Sequence, residues 1–158
     1  MVSAGYSGTG RSQIVSFFAR PIFAVGFAAF LVCADACLHI GDWLSLPGHW
    51  TSLPSLLDDW PAAIFLVYGA VRSRRDWVLG RPYQAAAWGF NSSLLFGSLV
   101  GSLEDWSSSQ PAVEGWIPKG AFVVTVGIVF ALTLSGLVST LVLTSPPWRR
   151  ADGSEAPG

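Results

Sequence analysis

The 158-residue chain is 51% hydrophobic and only 12% charged, with a mean hydropathy of +0.49. A soluble domain of this length carries about twice that share of charged residues, so the composition favours a single small membrane domain. The sequence has no basic face with interleaved aromatic residues, which argues against a nucleic-acid partner. Its two cysteines lie in one apolar stretch and form neither a disulfide framework nor a Cys-x-x-Cys motif.

In chain order, residues 1–16 are rich in serine and glycine and predict a disordered N-terminal tail. A transmembrane domain is predicted over 17–146, followed by a second disordered tail over 147–158. A membrane-spanning helix needs about 20 apolar residues, and four apolar stretches predict four such spans. They run from about Pro21 to Leu46, Leu56 to Val71, Pro82 to Leu103 and Trp116 to Leu143.

Two of these stretches differ from an ordinary membrane span. The second has an uncharged core only from Trp60 to Val71, so it must include acidic residues at one end or thin the bilayer around it. The first, with Arg20 before it and small residues at 34–37, loosely imitates a signal peptide and its cleavage site. Because the apolar run continues to Ile40 and Asp35 interrupts the would-be site, the sequence favours an uncleaved first span.

The charged residues divide between the two ends of the predicted spans. The arginines flank the first span's start, the connection between the second and third spans, and the fourth span's end: Arg11, Arg20, Arg72, Arg74, Arg75, Arg81, Arg149 and Arg150. The other two connections carry Asp42, Asp58, Asp59, Glu104, Asp105 and Glu114, with Lys119 as their one cation. Since arginine is retained on the cytoplasmic side, both termini and the middle connection are predicted to be cytoplasmic.

Acidic residues followed by tryptophan recur at 42–43, 59–60, 76–77 and 105–106. Indole prefers the membrane interface, with its ring in lipid and its N–H in water, so the pairs predict an aromatic belt. The pairs at 42–43 and 105–106 close the first and third spans. The pair at 59–60 opens the second span, and the looser copy Glu114-Gly115-Trp116 opens the fourth. This arrangement also suggests two tandem helical hairpins.

Small residues at four-residue spacing predict close helix packing, since small side chains let helices approach one another in lipid. The third span carries Gly89, Ser93, Gly97 and Gly101; the fourth carries Gly127, Ala131, Ser135 and Ser139; the first carries Ala29, Cys33, Cys37 and Gly41. On this interpretation the cysteines are packing residues. The alternative is a redox or metal pair, because the spacing places both thiols on one helix face, although a thiolate in hydrocarbon needs a nearby cation.

Polar residues inside the spans are the candidates for a functional site. Asp35 lies seven residues, or about 10 Å, below Asp42 on the first span, and an acid at that depth is costly unless it faces a partner or water. His39 is one turn away on the same face. The third span carries a polar stripe, Gln84, Asn91, Ser98 and Asp105, with Glu104 beside its outer end. Facing stripes would form a polar, acidic cleft open to the outside.

Three interpretations of Asp35 remain open. In the first, it hydrogen-bonds to His39, or to Asn91 and Ser98, and locks the helices together. In the second, Asp35 and His39 bind a proton or a divalent cation with an outer acid such as Asp42, although two ligands are too few to define a metal site. In the third, the cleft receives a lipid or quinone-like headgroup. No cofactor is predicted, and a divalent cation is the alternative.

The sequence contains no histidine-rich box, phosphate loop or nucleophile elbow. We therefore expect a binding or accessory component rather than an enzyme: an all-α, four-span bundle of a bacterial inner (plasma) membrane, in a homo-oligomer or a larger complex. One alternative is an oligomeric transporter or channel subunit for a cation or small solute. The other is a membrane redox or lipid/quinone-binding enzyme that uses Cys33 and Cys37.

Overall fold

The computed structural model describes residues 9–38, 59–107 and 117–147. Regular structure in these ranges is helical, which confirms the prediction of an all-α protein. The described ranges hold five α-helices: α1 (Thr9–Phe18), α2 (Pro21–Leu38), α3 (Asp59–Arg75), α4 (Trp77–Glu104) and α5 (Lys119–Val142). A 3₁₀ turn, Asp105–Ser107, follows α4.

α1 lies largely within the segment that was expected to be a disordered tail. Its sequence has no long apolar run, which is why a search for membrane spans misses it. Val15 nevertheless packs against a small cluster formed by Ala19, Trp77 and Leu143. A ten-residue helix is marginal in isolation, so this tertiary contact accounts for its formation. The predicted tail boundary is corrected accordingly, while residues 1–8 and 148–158 lie outside the described residues.

The arginine-rich connection between the second and third predicted spans is a second correction. α3 continues through Arg75 and α4 begins at Trp77, so these arginines lie on helix ends rather than in a loop. Asp76 alone separates the two helices, and its Oδ1 accepts a hydrogen bond from the Leu79 backbone N–H at 3.1 Å. A hydropathy reading ends a span at the first charge, whereas a helix continues until its backbone groups meet a cap.

Two glycines let α3 and α4 approach closely. A Cβ placed on Gly80 would come within 2.3 Å of the Arg72 backbone, and one on Gly69 would come within 2.9 Å of the Gln84 Cα. Between them, the Ser73 hydroxyl donates to Gln84 Oε1. The hairpin is therefore held by near backbone-to-backbone contact, the packing that small residues permit in membrane helices.

α2, α3, α4 and α5 pack in chain order, each beside the next, and α1 packs against α5. α2 and α5 stand at the two ends of this row, with an open groove between them. The core between the helices consists of buried residues from all four: Ala24, Phe27, Ala28, Leu31, Ala63, Leu66, Ala70, Ala87, Trp88 and Val129. Small alanines beside a few large aromatic rings give the close interdigitation that a packed core requires.

Within the described ranges, one helix is long and apolar enough to cross a bilayer by length and composition. This is α5, whose most apolar 18-residue window has a mean hydropathy of 2.4 and is 22% buried within the protein. The apolar part of α2, Pro21–Cys37, is shorter. The four-span arrangement and its orientation stay predictions.

The predicted small-residue stripe of the third span does not pack against another described helix. A Cβ on Gly89, Gly97 or Gly101 would meet no atom within 4 Å. Ser93 is exposed and its hydroxyl donates to the Phe90 carbonyl of its own helix. The prediction that these four residues form the helix contact inside the bundle is therefore wrong.

The stripe predicted on the fourth span fails in the same way over most of its length. Gly127 faces open space, Ala131 is exposed, and the Ser135 hydroxyl donates to the carbonyl of Ala131. The buried face of α5 instead follows Val126, Val129, Thr133, Gly136 and Thr140, and of the predicted stripe it includes Ser139. An α-helix turns about 100° per residue, so a strict spacing of four drifts about 40° per step and leaves the contact face, whereas alternating steps of three and four keep to it.

Candidate functional site

Asp35 lies at the interface of α2 and α3. Its side chain is 2% exposed, and Trp60 Nε1 donates a hydrogen bond to its Oδ2 at 3.2 Å. Trp60 is the second residue of α3 and its ring is 39% exposed, so the indole connects the protein surface to the buried acid. This contact agrees with the interpretation in which Asp35 locks two helices together. The partner is a tryptophan that the sequence suggested only as part of the aromatic belt.

Asn91 holds the same end of α3. Its Nδ2 donates to the Ala62 carbonyl at 3.2 Å and to the Ala87 carbonyl of its own helix at 2.9 Å. Ala62 follows Trp60 by two residues, so α3 receives one polar contact from α2 and another from α4 at its first turn. Asn91 is 2% exposed, which places it in the bundle interior rather than in an open cleft.

Gln84 joins three elements near the opposite end of α3. Its Nε2 donates to the Ala19 carbonyl at 3.1 Å, at the junction of α1 and α2, while its Oε1 accepts from Ser73 on α3. Its side chain is fully buried. Buried interhelical hydrogen bonds of this kind stabilise helix packing where the surroundings are apolar.

Ser98 and Asp105, the outer half of the predicted polar stripe, are exposed. Asn91 of α4 contacts Ala62 in the first turn of α3. The part of α4 that follows Asn91 therefore extends beyond the described start of α3. There the stripe faces α5, where a pocket of about 330 Å³ opens between Ser98, Gly101, Ser102, Asp105, Lys119, Phe122 and Val123. We call this the outer pocket.

Lys119 gives the outer pocket a mixed charge. Its Nζ donates to the Asp105 backbone carbonyl at 2.7 Å and lies 3.5 Å from Asp105 Oδ2. Glu104 is exposed beside it. A pocket attracts a cation when its carboxylates have no basic neighbour. Here Lys119 offsets the negative charge of Asp105, so the attraction for a cation is weakened.

The predicted single cleft is therefore corrected. Asp35 and Asn91 lie inside the bundle, whereas Ser98 and Asp105 line the outer pocket. His39 and Asp42 lie outside the described residues. Among the described ranges there is no group of three or more His, Cys, Asp or Glu residues placed to hold a metal ion.

Cys33 and Cys37 are free thiols on the exposed surface of α2. Ala29, one turn before Cys33, is exposed as well. The stripe that begins with these residues therefore points away from the described neighbours of α2, and its last member, Gly41, lies outside the described residues.

Trp88 is the central aromatic residue of the bundle and was not singled out from the sequence. It is fully buried, stacks on Phe23 at 5.7 Å between ring centroids and meets Phe27 edge-on at 5.3 Å. On its other side a Cβ at Gly136 would fall 2.6 Å from the indole. Its position inside the predicted third span, away from the predicted interface where tryptophans concentrate, is the sequence signal that could have identified it.

The groove between α2 and α5 was also not predicted. It has a volume of about 600 Å³ and an almost wholly apolar wall. The α1–α2 side contributes Phe17, Ile22, Phe23, Gly26, Phe27 and Phe30, and α5 contributes Thr125, Ile128, Val129 and Leu132. We call it the α2–α5 groove. No single helix reveals it, because it depends on the separation between the first and last members of the row.

Several arginines surround the end of the bundle where α1 lies. Arg81 donates from Nε to the Thr140 carbonyl at 2.9 Å and from Nη2 to the Leu141 carbonyl at 2.6 Å, and so caps α5. Arg72 lies 5.8 Å over the Tyr83 ring. The Nε atoms of Arg20 and Arg72 are buried without a hydrogen-bond partner in the described part of the protein.

Comparisons with known proteins give no relative from which a role could be transferred. No protein-family model matches the chain, no curated protein matches its sequence, and no solved structure matches its fold.

Proposed function

We propose that this chain is a four-span, multi-pass protein of a bacterial-type inner membrane, where it serves as a non-enzymatic binding component for an apolar molecule taken from the bilayer. The four spans are α2, α3, α4 and α5. Both termini and the arginines at the α3–α4 turn face the cytoplasm, and the outer pocket faces the opposite side.

Exposed apolar side chains support the membrane location. Large apolar residues are exposed on all five helices, among them Ile14, Ile22, Ile64, Val78 and Val142. A soluble protein rarely exposes large apolar side chains on every one of its helices, because clustered apolar surface in water is unfavourable. In hydrocarbon the same surface is well solvated, and α5, with 22% of its most apolar window buried, suits that environment best.

The polar interior supports the same location. The side chains of Asp35, Gln84 and Asn91 are buried and hydrogen-bonded across helices, while apolar residues face outward. Helix lengths are compatible with spanning: 17 and 18 residues for α3 and α2 correspond to about 26 and 27 Å, close to the 30 Å of a hydrocarbon core. Flanking arginines reach the interface from such ends.

The α2–α5 groove carries the binding role. Ligand sites are concave and mostly apolar with volumes of about 300–1,000 Å³, and the groove, at about 600 Å³, falls in that range. It opens sideways between two helices, so a molecule dissolved in the bilayer could enter without crossing water. The interior polar residues are engaged in helix contacts, which favours binding over catalysis.

Site-directed labelling tests the membrane arrangement. In a background with Cys33→Ala and Cys37→Ala, a membrane-impermeant maleimide should label Ser107→Cys in intact cells and Arg75→Cys only after permeabilisation. Both positions are exposed in the structure. A Ser107→Cys variant that also carries Arg75→Ala controls for the lost arginine. Labelling of Arg75→Cys in intact cells would overturn the orientation.

A photoreactive alkyl diazirine in bilayer nanodiscs tests the binding role. The probe should cross-link to groove residues such as Phe30 and Ile128 more than to Ile64 or Val138, which are exposed outside it. Gly26→Leu should reduce cross-linking in the groove, because a Cβ at Gly26 meets no atom within 4 Å and a larger side chain can occupy the space. Equal labelling of all exposed apolar positions would contradict a binding site.

A second candidate, an oligomeric transporter or channel subunit, is favoured by the outward-facing small residues of α4. Gly97 is exposed and a Cβ there would meet no atom within 4 Å, so a second copy could approach α4 at this point. Gly97→Leu should then shift the mass measured by light scattering in detergent towards the monomer. An unchanged mass would remove this stripe as the contact.

A further inference from the structure

We propose that the α2–α5 groove is a specific site for an anionic phospholipid, with one acyl chain between the helices and the phosphate at Arg20. This inference rests on the proposed membrane location and names the ligand class for the proposed binding role. It joins two features that the helix packing leaves unexplained: an open apolar groove and a buried guanidinium nitrogen without an acceptor.

The groove has the form of a slot for one chain. Its α2 wall runs from Ile22 to Phe30, eight residues or about 12 Å of helix. Phe17 of α1 also lines the groove, and most of the other lining side chains are aromatic or aliphatic. An acyl chain suits such a narrow apolar slot that is open to hydrocarbon, whereas a ligand with polar groups along its length would find few partners there.

Arg20 lies at the corner between α1 and α2, where the chain passes between groove-lining residues of the two helices. The Arg20 backbone N–H donates to the Phe17 carbonyl at 3.1 Å, and the Arg20 backbone carbonyl accepts from the Phe23 backbone N–H at 3.0 Å. Groove-lining residues therefore flank it on both sides in the chain. Arg20 is partly exposed as a residue, and its Nε is buried without a hydrogen-bond partner in the described part of the protein.

The charge around this corner fits an anion. Arg20 and Arg72 form no ion pair with a described carboxylate, and the first turn of α2 adds the partial positive charge of a helix N-terminus. The acid of the α3–α4 turn, Asp76, accepts a hydrogen bond from the Leu79 backbone N–H of α4. Arginine binds phosphate oxygens through several N–H groups at once, and cytoplasmic-leaflet lipids supply such phosphates.

Native mass spectrometry of the full chain in mild detergent tests the proposal. Phosphatidylglycerol, phosphatidylcholine of the same acyl chains, and inorganic phosphate are offered in turn. We expect one retained phosphatidylglycerol, much less phosphatidylcholine, and no retention of phosphate alone. Arg20→Gln should lower the preference for phosphatidylglycerol by about fivefold. Arg20→Lys should keep part of the preference, because lysine retains the charge but not the forked N–H groups. Arg74→Gln, at an exposed arginine of α3, should leave the preference unchanged.

Groove filling supplies the independent arm. Gly26→Leu should lose retention of both lipids while thermal stability is kept, and Gly97→Leu, which fills open space outside the groove, should not. Unchanged retention in Gly26→Leu would overturn the proposal, as would equal retention of the two lipids by the wild type or an equal loss in Arg74→Gln. Cross-linking of the alkyl probe in the groove without preference for the anionic lipid would overturn the headgroup site and leave the proposed binding role standing.

Discussion

Trp60 donates its indole N–H to Asp35 Oδ2 at 3.2 Å, and so an exposed aromatic ring at the start of one helix satisfies a buried carboxylate on another. The contact crosses 25 residues of sequence and fixes the entry of α3 into the bundle. Asn91 adds a bond to Ala62 in the same turn. The end of α3 is thus held from both sides.

The first prediction concerns this contact. Trp60→Phe removes the donor while keeping an aromatic ring, and should lower the free energy of unfolding by about 0.5–2 kcal/mol. Trp106→Phe, at an exposed tryptophan on the 3₁₀ turn, should have little effect. Thermal unfolding in detergent measures both changes. Equal stability of the two variants would mean that the Trp60 contact contributes nothing measurable.

Substitution of the acid itself separates a structural from a charge-dependent role. Asp35→Asn keeps an oxygen acceptor for Trp60 and should unfold close to the wild type, whereas Asp35→Leu should lose about 1–3 kcal/mol because the indole N–H loses that acceptor. The free energy of unfolding of each variant checks this. If Asp35→Asn is as unstable as Asp35→Leu, the negative charge rather than the hydrogen bond holds the helices.

Gly136→Ala should destabilise the bundle, since the added Cβ would lie 2.6–2.9 Å from three atoms of the Trp88 indole. Overpacking of this kind costs about 1–3 kcal/mol. Gly127→Ala on the same helix is the matched control, because its Cβ meets no atom within 4 Å and alanine is the better helix former. Thermal midpoints that fall equally for the two would show that Trp88 moves aside.

Arg81→Met should weaken the last turn of α5 by removing two hydrogen bonds to its terminal carbonyls. We expect a loss of about 0.5–1.5 kcal/mol and faster hydrogen exchange over residues 137–142. Arg74→Met removes the same charge from an exposed position and controls for changes in membrane orientation. Faster exchange in both variants would attribute the effect to net charge rather than to capping.

Gln84→Leu should loosen α1 and the corner that follows it. The substitution removes the donor to the Ala19 carbonyl and the acceptor for Ser73, both buried, and should lower stability by about 1–3 kcal/mol. Proteolysis within α1 should accelerate while cleavage elsewhere stays slow. Uniformly faster cleavage would show that Gln84 supports the whole bundle instead of this corner.

Apolar runs predicted the helices well, because hydropathy alone locates α2, α4 and α5 along the chain, together with the centre of α3. They could not give the helix ends. α3 continues through its arginines to Arg75, and α4 begins directly after Asp76, which caps its N-terminus. α1 was missed for a related reason. It is stabilised by a contact with residues more than 60 positions away, such as Trp77 and Leu143, which local pattern does not contain.

The polar residues were recognised correctly as unusual, but their partners were not. Asp35, Asn91 and Gln84 are buried and hydrogen-bonded, yet two of the acceptors are backbone carbonyls and one donor is an indole, none of which a search for complementary side chains considers. The glycines show the same limit. Gly69, Gly80 and Gly136 make the close approaches because they oppose particular backbone or ring atoms, and spacing along one helix does not reveal what stands opposite.

The one-residue turn at Asp76 has a practical consequence for experiments on this protein. Gly80 lies against the Arg72 backbone, so a reporter enzyme, an epitope or a protease site inserted between α3 and α4 would have to pull the two helices apart. Such a fusion would report on a damaged hairpin.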